Sequence, residues 1–197
     1  MKQAVLLLSM FLFSLSNAQA QGKKGPLFSR ADTLKGWNAS PRSCYNVRHY
    51  FLDFEVHMNR KFIEGINTME FVMVENAKVL QIDLGQGMGL INVDWNGKKV
   101  PVKREEGAYF LHFPDTLYES TRHTIKLKFA GHPAMAKDAP WDGGFVWEND
   151  ANGNPWVGVA NQKEGASLWW PCKDQWLDEP DSITVRITVP TGLTAVS

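Results

Sequence analysis

The chain has 197 residues, of which 44% are hydrophobic and 12% aromatic, and its 21 basic and 21 acidic residues give a formal net charge of +0. This balance excludes the strongly basic surface with which proteins bind nucleic acid or anionic membranes. The length suits one domain with one hydrophobic core.

The first twenty residues have the three parts of a secretory signal peptide. Lys2 provides the positive start, residues 4–15 form an apolar run, and Ala18-Gln19-Ala20 is a small-x-small cleavage site. The apolar run is shorter than the roughly 20 residues that cross a bilayer. We therefore predict cleavage after residue 20, export to the periplasm or the extracellular space, and a mature protein without a membrane span.

Residues 21–40 are polar and rich in turn-forming residues. This composition predicts a leader segment without a helix or strand, with Phe28 and Trp37 as the side chains that would pack onto the protein. A domain of residues 41–197 would follow it.

Apolar residues alternate with a period of two after residue 44, which is typical of β-strands with one buried face. The alternating runs are residues 45–56, 62–75, 79–84, 90–102, 109–113, 123–129 and 182–189. Asn96-Gly97 lies inside the fourth run and predicts a hairpin, because both turn positions need positive φ. The pattern predicts an all-β, antiparallel fold, either a curved sandwich or a saddle-like pair of sheets.

Tryptophan is concentrated after residue 131. Exposed indoles would form a platform on which sugars stack, whereas buried indoles would form the core of an irregular segment, and composition leaves both interpretations open. The six tryptophans are Trp141, Trp147, Trp156, Trp169, Trp170 and Trp176.

No motif for a metal, phosphate or nucleophile stands out. The histidines are scattered, and none has a second histidine at the i, i+4 spacing that zinc sites on helices use. Asp150, Asn152 and Asn154 match the start of a calcium loop, but Pro155 and Asn161 occupy the positions where an EF-hand needs glycine and glutamate. We predict a tight turn there, and we assign no catalytic residue, metal ligand or cofactor to this chain.

Two further groups are interpreted as structural. Gly85, Gly87 and Gly89 predict a turn between strands, because the Lys-Ser/Thr of a phosphate-binding loop is missing. Asp174, Asp178 and Glu179 are crowded into one short loop, which favours turn chemistry over the paired carboxylates of a glycosidase. The two cysteines, Cys44 and Cys172, could form a disulfide or remain buried thiols.

The order of residues near the end of the chain resembles the N-terminal β-domain of zinc metallo-aminopeptidases of the aminopeptidase N and leukotriene hydrolase type. Gln162 precedes Pro171-Cys172-Lys173-Asp174, and a strand leads into the ending VPTGLTAVS of residues 189–197. Residues 45–56 and 62–65 are similar to the opening strands of the same domain, and residues 141–147, WDGGFVW, are similar to its secreted bacterial branch. One departure is Gln175–Asp178, which separates Asp174 from Glu179-Pro180.

This resemblance, over roughly residues 32–197, implies a non-catalytic domain. The family's HExxH zinc helix lies downstream of the matched region, so zinc is expected in the complete enzyme and not in this chain. The resemblance also implies that Gln162 binds substrate, because an amide oxygen can accept a hydrogen bond from the α-ammonium group. We expect a fragment or a truncated gene product that is inactive alone.

The expected partners are a peptide substrate and the protein's own catalytic domain, with no nucleic acid. Two other functions stay open from sequence. One is a secreted carbohydrate-binding β-sandwich that uses Trp141, Trp147 or Trp156, and the other is a purely structural interaction domain.

Overall fold

The computed structural model describes residues 28–197. The predicted signal peptide, residues 1–20, and the first residues of the predicted leader lie outside the described residues. Between residues 28 and 197, no helix combines the length and the apolar character that crossing a bilayer requires.

Strands dominate the structure. Two short α-helices come first, α1 (Arg30–Gly36) and α2 (Ser40–Ser43), and single 3-10 turns lie at Met58–Arg60 and Ala166–Leu168. The strands are β1 (Tyr45–His57), β2 (Phe62–Met73), β3 (Ala77–Asp83), β4 (Met88–Trp95), β5 (Lys98–Lys99), β6 (Val102–Glu105), β7 (Ala108–Leu117), β8 (Arg122–Gly131), β9 (Gly144–Asn149), β10 (Pro155–Ala160) and β11 (Ser182–Thr188).

The strands form two sheets and a hairpin. The larger sheet has the order β11-β1-β2-β8-β4-β5, the smaller has the order β3-β7-β6, and β9 pairs with β10. These pairs are antiparallel, which confirms the predicted class, except that β11 runs parallel to β1.

A β-bulge changes the buried face of β1. The register against β2 shifts between Val47 and His49. Before the bulge, the odd-numbered residue Val47 is buried. After it, the even-numbered residues Tyr50 and Leu52 are buried instead. Uninterrupted alternation would place Val47 on the same face as His49, and the extra residue Arg48 interrupts that alternation.

The predicted leader is partly helical. Ser29 and Asp32 form a capping box at the start of α1, in which the Asp32 carboxylate accepts from the Ser29 backbone N–H at 2.8 Å. Leu34 is the buried residue of this helix. Phe28 and Trp37 are 79% and 64% exposed, so the prediction of an irregular leader packed through these two side chains is wrong.

Two predicted turns are confirmed. Asn96 and Gly97 have φ of 55° and 78° between β4 and β5, as the hairpin signal requires. The Asp150 carboxylate accepts backbone N–H groups from Asn152 and Asn154 at 2.8 Å each, which closes the turn between β9 and β10. The oxygen-rich segment is therefore used for turn closure.

The main core lies between the two sheets, and a smaller aromatic cluster extends it under the segment that follows β10. In that cluster Trp169 contacts Phe54 and Phe145 with ring centroids 5.0 Å and 5.7 Å apart, and Trp170 contacts Tyr50 at 5.0 Å. Of the six tryptophans after residue 131, Trp169 and Trp170 are buried and Trp147 is partly buried. The other three are exposed, namely Trp141, Trp156 and Trp176. The central buried side chains are Ile63, Met69, Phe71, Leu80, Ile82, Leu111, Ile125, Leu127 and Phe129.

Candidate functional site

The loop of residues 161–167 carries the predicted substrate-binding residue. It begins directly after β10, and the Asn161 carbonyl accepts hydrogen bonds from the backbone N–H groups of Glu164 and Gly165 at 3.3 Å and 3.2 Å. Gln162 and Lys163 lie at the exposed apex of this turn. The Gln162 amide is therefore presented to solvent by a hydrogen-bonded loop.

Asp174 closes the base of the same loop. Its carboxylate accepts from the Ser167 hydroxyl at 2.6 Å and from the Ser167 backbone N–H at 3.3 Å. Gly165 has φ of 83°, and a Cβ atom added there would lie 2.3 Å from the Asp174 carboxylate. Glycine is thus needed at this position both for its conformation and for the close approach of the acid.

Helix α1 supports the loop from another direction. The Lys35 ammonium group donates to the Glu164 carbonyl at 2.9 Å and lies 3.6 Å from the Glu164 carboxylate. Both side chains are about half exposed, so this pair contributes little free energy and mainly restricts the loop.

A buried ion pair fixes the elements behind the loop. Arg42, which is 0% exposed, donates to the Asp83 carboxylate at 2.7 Å and to the Leu34 carbonyl at 2.7 Å. The second carboxylate oxygen of Asp83 accepts from the Asp174 backbone N–H at 3.3 Å. Burial raises the pKa of Asp83, and the Arg42 charge and the Gln81 hydrogen bond oppose that rise. This network joins α1, α2, β3 and the Asp174 segment.

A second ion pair holds the following segment. Lys173 Nζ lies 2.5 Å from an Asp178 carboxylate oxygen and donates to the Tyr45 carbonyl at 2.6 Å. The same Asp178 oxygen accepts from the Val47 backbone N–H at 3.3 Å. Burial lowers the pKa of Lys173, and Asp178 opposes that shift. Asp174 and Asp178 thus both hold backbone segments in place, as predicted, and neither is arranged as a glycosidase acid.

Cys44 and Cys172 are free and buried, which is the second of the two alternatives left open by the sequence. Burial raises the pKa of Cys44 to about 11 and the pKa of Cys172 well above its ordinary value. Neither thiol has the lowered pKa of a catalytic nucleophile.

The described residues do not fit a zinc ion. Within residues 28–197, no group of three or more His, Cys, Asp or Glu side chains is placed to hold a metal. His57 lies between two carboxylates, with its Nε2 2.9 Å from Glu64 and its Nδ1 3.7 Å from Glu55.

The fold is similar to that of known zinc peptidases. A two-domain M1 zinc metallopeptidase bound to L-arginine superposes with a TM-score of 0.60 and 25% identity over 75% of this chain and 33% of its own. An M1 zinc metallopeptidase mutant from Deinococcus radiodurans bound to a Tyr-Ser-Ala substrate gives 0.59 and 25%, over 74% of this chain and 33% of its own. Yeast LTA4 hydrolase with bestatin gives 0.61 over 89% of this chain and 27% of its own, but at 18% identity it shows the fold alone.

This chain has the fold of an M1-type N-terminal β-domain. No protein-family model and no curated protein matches its sequence. The M1-type domain spans about a third of the length of the metallopeptidases it resembles.

The structure places Gln162 at a loop apex, and sequence reasoning had selected that residue through the family motif. The residues that hold the loop were missed. Arg42 and Lys35 lie in a polar stretch that gave no sign of burial or of contact with residues far along the chain. The Ser29-x-x-Asp32 capping box was a usable signal for α1.

Proposed function

We propose that this domain is the N-terminal part of an exported zinc aminopeptidase and forms one wall of its substrate cleft. The observation that carries the proposal is the similarity, at 25% identity over 75% of the chain, to M1 zinc metallopeptidases about three times as long. One similar structure holds a peptide substrate and another a free amino acid. Zinc and the hydrolytic chemistry would belong to the catalytic part of the longer protein.

Gln162 is proposed to accept a hydrogen bond from the α-ammonium group of the peptide. An exopeptidase has to recognise a free N-terminus, and an amide oxygen does so without adding a full charge. A hydrogen bond to a charged group contributes about 1.5–3 kcal/mol. The exposed, solvent-facing amide and the hydrogen-bonded loop beneath it support this role.

A carbohydrate-binding function is less well supported. Trp141 and Trp156 are exposed, but Trp147 stacks on Phe145 with ring centroids 5.4 Å apart and is partly buried against the core. The three indoles therefore do not share one exposed environment, and the comparisons with known proteins point to peptidases.

The first test is the reading frame downstream of codon 197. We expect it to encode a zinc helix with an HExxH motif, and the longer protein should release N-terminal residues from peptides. A stop codon directly after residue 197, with no catalytic domain encoded nearby, would contradict the proposal.

The second test replaces Gln162 with alanine in the longer protein. Loss of the proposed hydrogen bond should lower kcat/KM for aminoacyl substrates about ten- to a hundredfold, because each 1.4 kcal/mol corresponds to a factor of ten. On a matched substrate that lacks the α-amino group, the substitution should change nothing.

Asn161→Ala is the matched control, since it removes a neighbouring exposed amide from the same loop. It should leave both substrates unaffected. Equal losses for Gln162→Ala with and without the substrate amine would show that Gln162 does not recognise the N-terminus.

A further inference from the structure

The loop that presents Gln162 has no sheet or long helix to hold it. Lys163 has φ of 69° and Gly165 has φ of 83°, so two of its residues lie in the left-handed region. The turn is closed by two long backbone hydrogen bonds to the Asn161 carbonyl, at 3.2 Å and 3.3 Å. Bonds of this length leave the position of the apex weakly determined by the loop itself.

Asp174 supplies a further support, beside the Lys35 contact to the Glu164 carbonyl and the Gly85 backbone N–H that donates to the Ser167 carbonyl at 2.6 Å. One of its carboxylate oxygens accepts from both the hydroxyl and the backbone N–H of Ser167, at 2.6 Å and 3.3 Å. Because Gly165 has no side chain, the Asp174 carboxylate also packs directly against the Gly165 backbone. The acid therefore contacts the descending half of the loop at two points.

Asp174 is itself held by the core. Its backbone N–H donates to Asp83, which is paired with the fully buried Arg42 at 2.7 Å. Two residues earlier, Cys172 pairs with Asp83 through two backbone hydrogen bonds. The Asp83 N–H donates to the Cys172 carbonyl at 2.8 Å, and the Cys172 N–H donates to the Asp83 carbonyl at 3.2 Å. The backbone that carries the carboxylate is thus fixed by the core, and the loop is attached to it through the side chain.

We infer that Asp174 is a positioning residue that sets the place of the Gln162 amide for binding of the substrate α-ammonium group. The inference rests on the proposed function of Gln162. Asp174 acts through Ser167 and Gly165, and both hydrogen bonds that its carboxylate accepts come from Ser167, so it is assigned no catalytic role.

The first experiment uses the full chain of 197 residues and measures amide hydrogen exchange. Asp174→Ala should speed exchange at Glu164, Gly165 and Ser167 at least about tenfold, because the loop loses its anchor. Exchange in the β2–β8 ladder should stay unchanged. Asp174→Asn keeps an oxygen acceptor and should restore slow exchange.

The matched control is Asp181→Ala, which removes an exposed acid of the same connection whose partner is Arg48 at 3.3 Å. It should not alter exchange in the loop. Equal exchange rates for wild type and Asp174→Ala would overturn the inference, and if Asp174→Ala fails to fold, Ser167→Ala provides the same test from the other side of the contact.

The second experiment separates this inference from the proposed function in the longer enzyme. Asp174→Ala should raise KM for substrates with a free amine about tenfold and change kcat less than about twofold. When Asp174→Ala is combined with Gln162→Ala, KM should rise no further than in Gln162→Ala alone, since both substitutions remove the same contact with the substrate amine. No effect of Gln162→Ala itself would overturn the proposed function, whereas additive losses in the double variant would overturn the positioning role of Asp174.

Discussion

Arg42 shows how a single residue ties distant parts of this domain together. Its guanidinium group donates to carbonyls of Leu34 and Lys35 and to the Asp83 carboxylate, each at 2.7 Å. Removing one partner of such a buried pair usually costs about 3–5 kcal/mol, because the remaining charge is left without compensation. The N-terminal helices are therefore integral to the domain and not a detachable leader.

Cys44 gives a pH prediction at the residue scale. Its pKa is raised by burial from 9.0 to about 11, so the folded protein keeps a proton that the unfolded chain loses. The stabilisation is fully present below pH 9 and is lost as the pH rises through about 11. Between about pH 8 and pH 10, this one group should reduce the free energy of unfolding by about 1 kcal/mol.

Urea denaturation of wild type and Cys44→Ala under reducing conditions tests this. The free energy of unfolding should fall less at alkaline pH in the variant than in wild type. Some fall should remain, because Tyr45, Tyr50 and Cys172 also have raised pKa values. Parallel pH profiles for the two proteins would contradict the assignment.

At the scale of elements, β11 is an exposed strand at the edge of the larger sheet. Ile183 and Val185 pair in register with Tyr50 and Leu52, and so lie on the same face of the sheet. Tyr50 and Leu52 are 4% and 2% exposed, whereas Ile183 and Val185 are 49% and 38% exposed. The core face thus continues onto an edge strand that nothing within residues 28–197 covers.

The chain purified by itself should consequently self-associate through β11, since uncovered edge strands pair with other chains. Val185→Lys should lower the apparent mass in light scattering at high protein concentration. Thr184→Lys places the same charge on the opposite face of the same strand, next to Phe51, and should have a smaller effect. A monomer in wild type at every concentration would contradict this prediction.

At the scale of the molecule, the domain has the fold of an M1 N-terminal domain and no place for zinc within residues 28–197. We predict that the purified chain does not hydrolyse aminoacyl substrates, with or without added zinc, because residues 28–197 offer no group of ligands that would hold the metal and activate water. Turnover by a contaminant-free preparation would contradict the prediction.

The strands and turns were largely predicted from sequence, whereas the bulge in β1 and the helices near the N-terminus were missed. Alternation identifies a strand, but one extra residue such as Arg48 reverses its faces, and no local pattern marks where that residue falls. Helix α1 is seven residues long, too short for a clear 3.6-residue period, and it depends on tertiary contacts through Leu34 and Lys35.

For the candidate site, the sequence determined that Gln162 was the residue to consider and that its loop precedes the Pro-Cys-Lys-Asp motif. Only the tertiary structure showed that Asp174 anchors that loop and that Arg42 and Asp83 hold Asp174. Local patterns specify periodicity and turn chemistry because these depend on neighbours along the chain. Which buried charges meet depends on how sheets and connections pack, and residues 42, 83 and 174 come together only after the whole domain has folded.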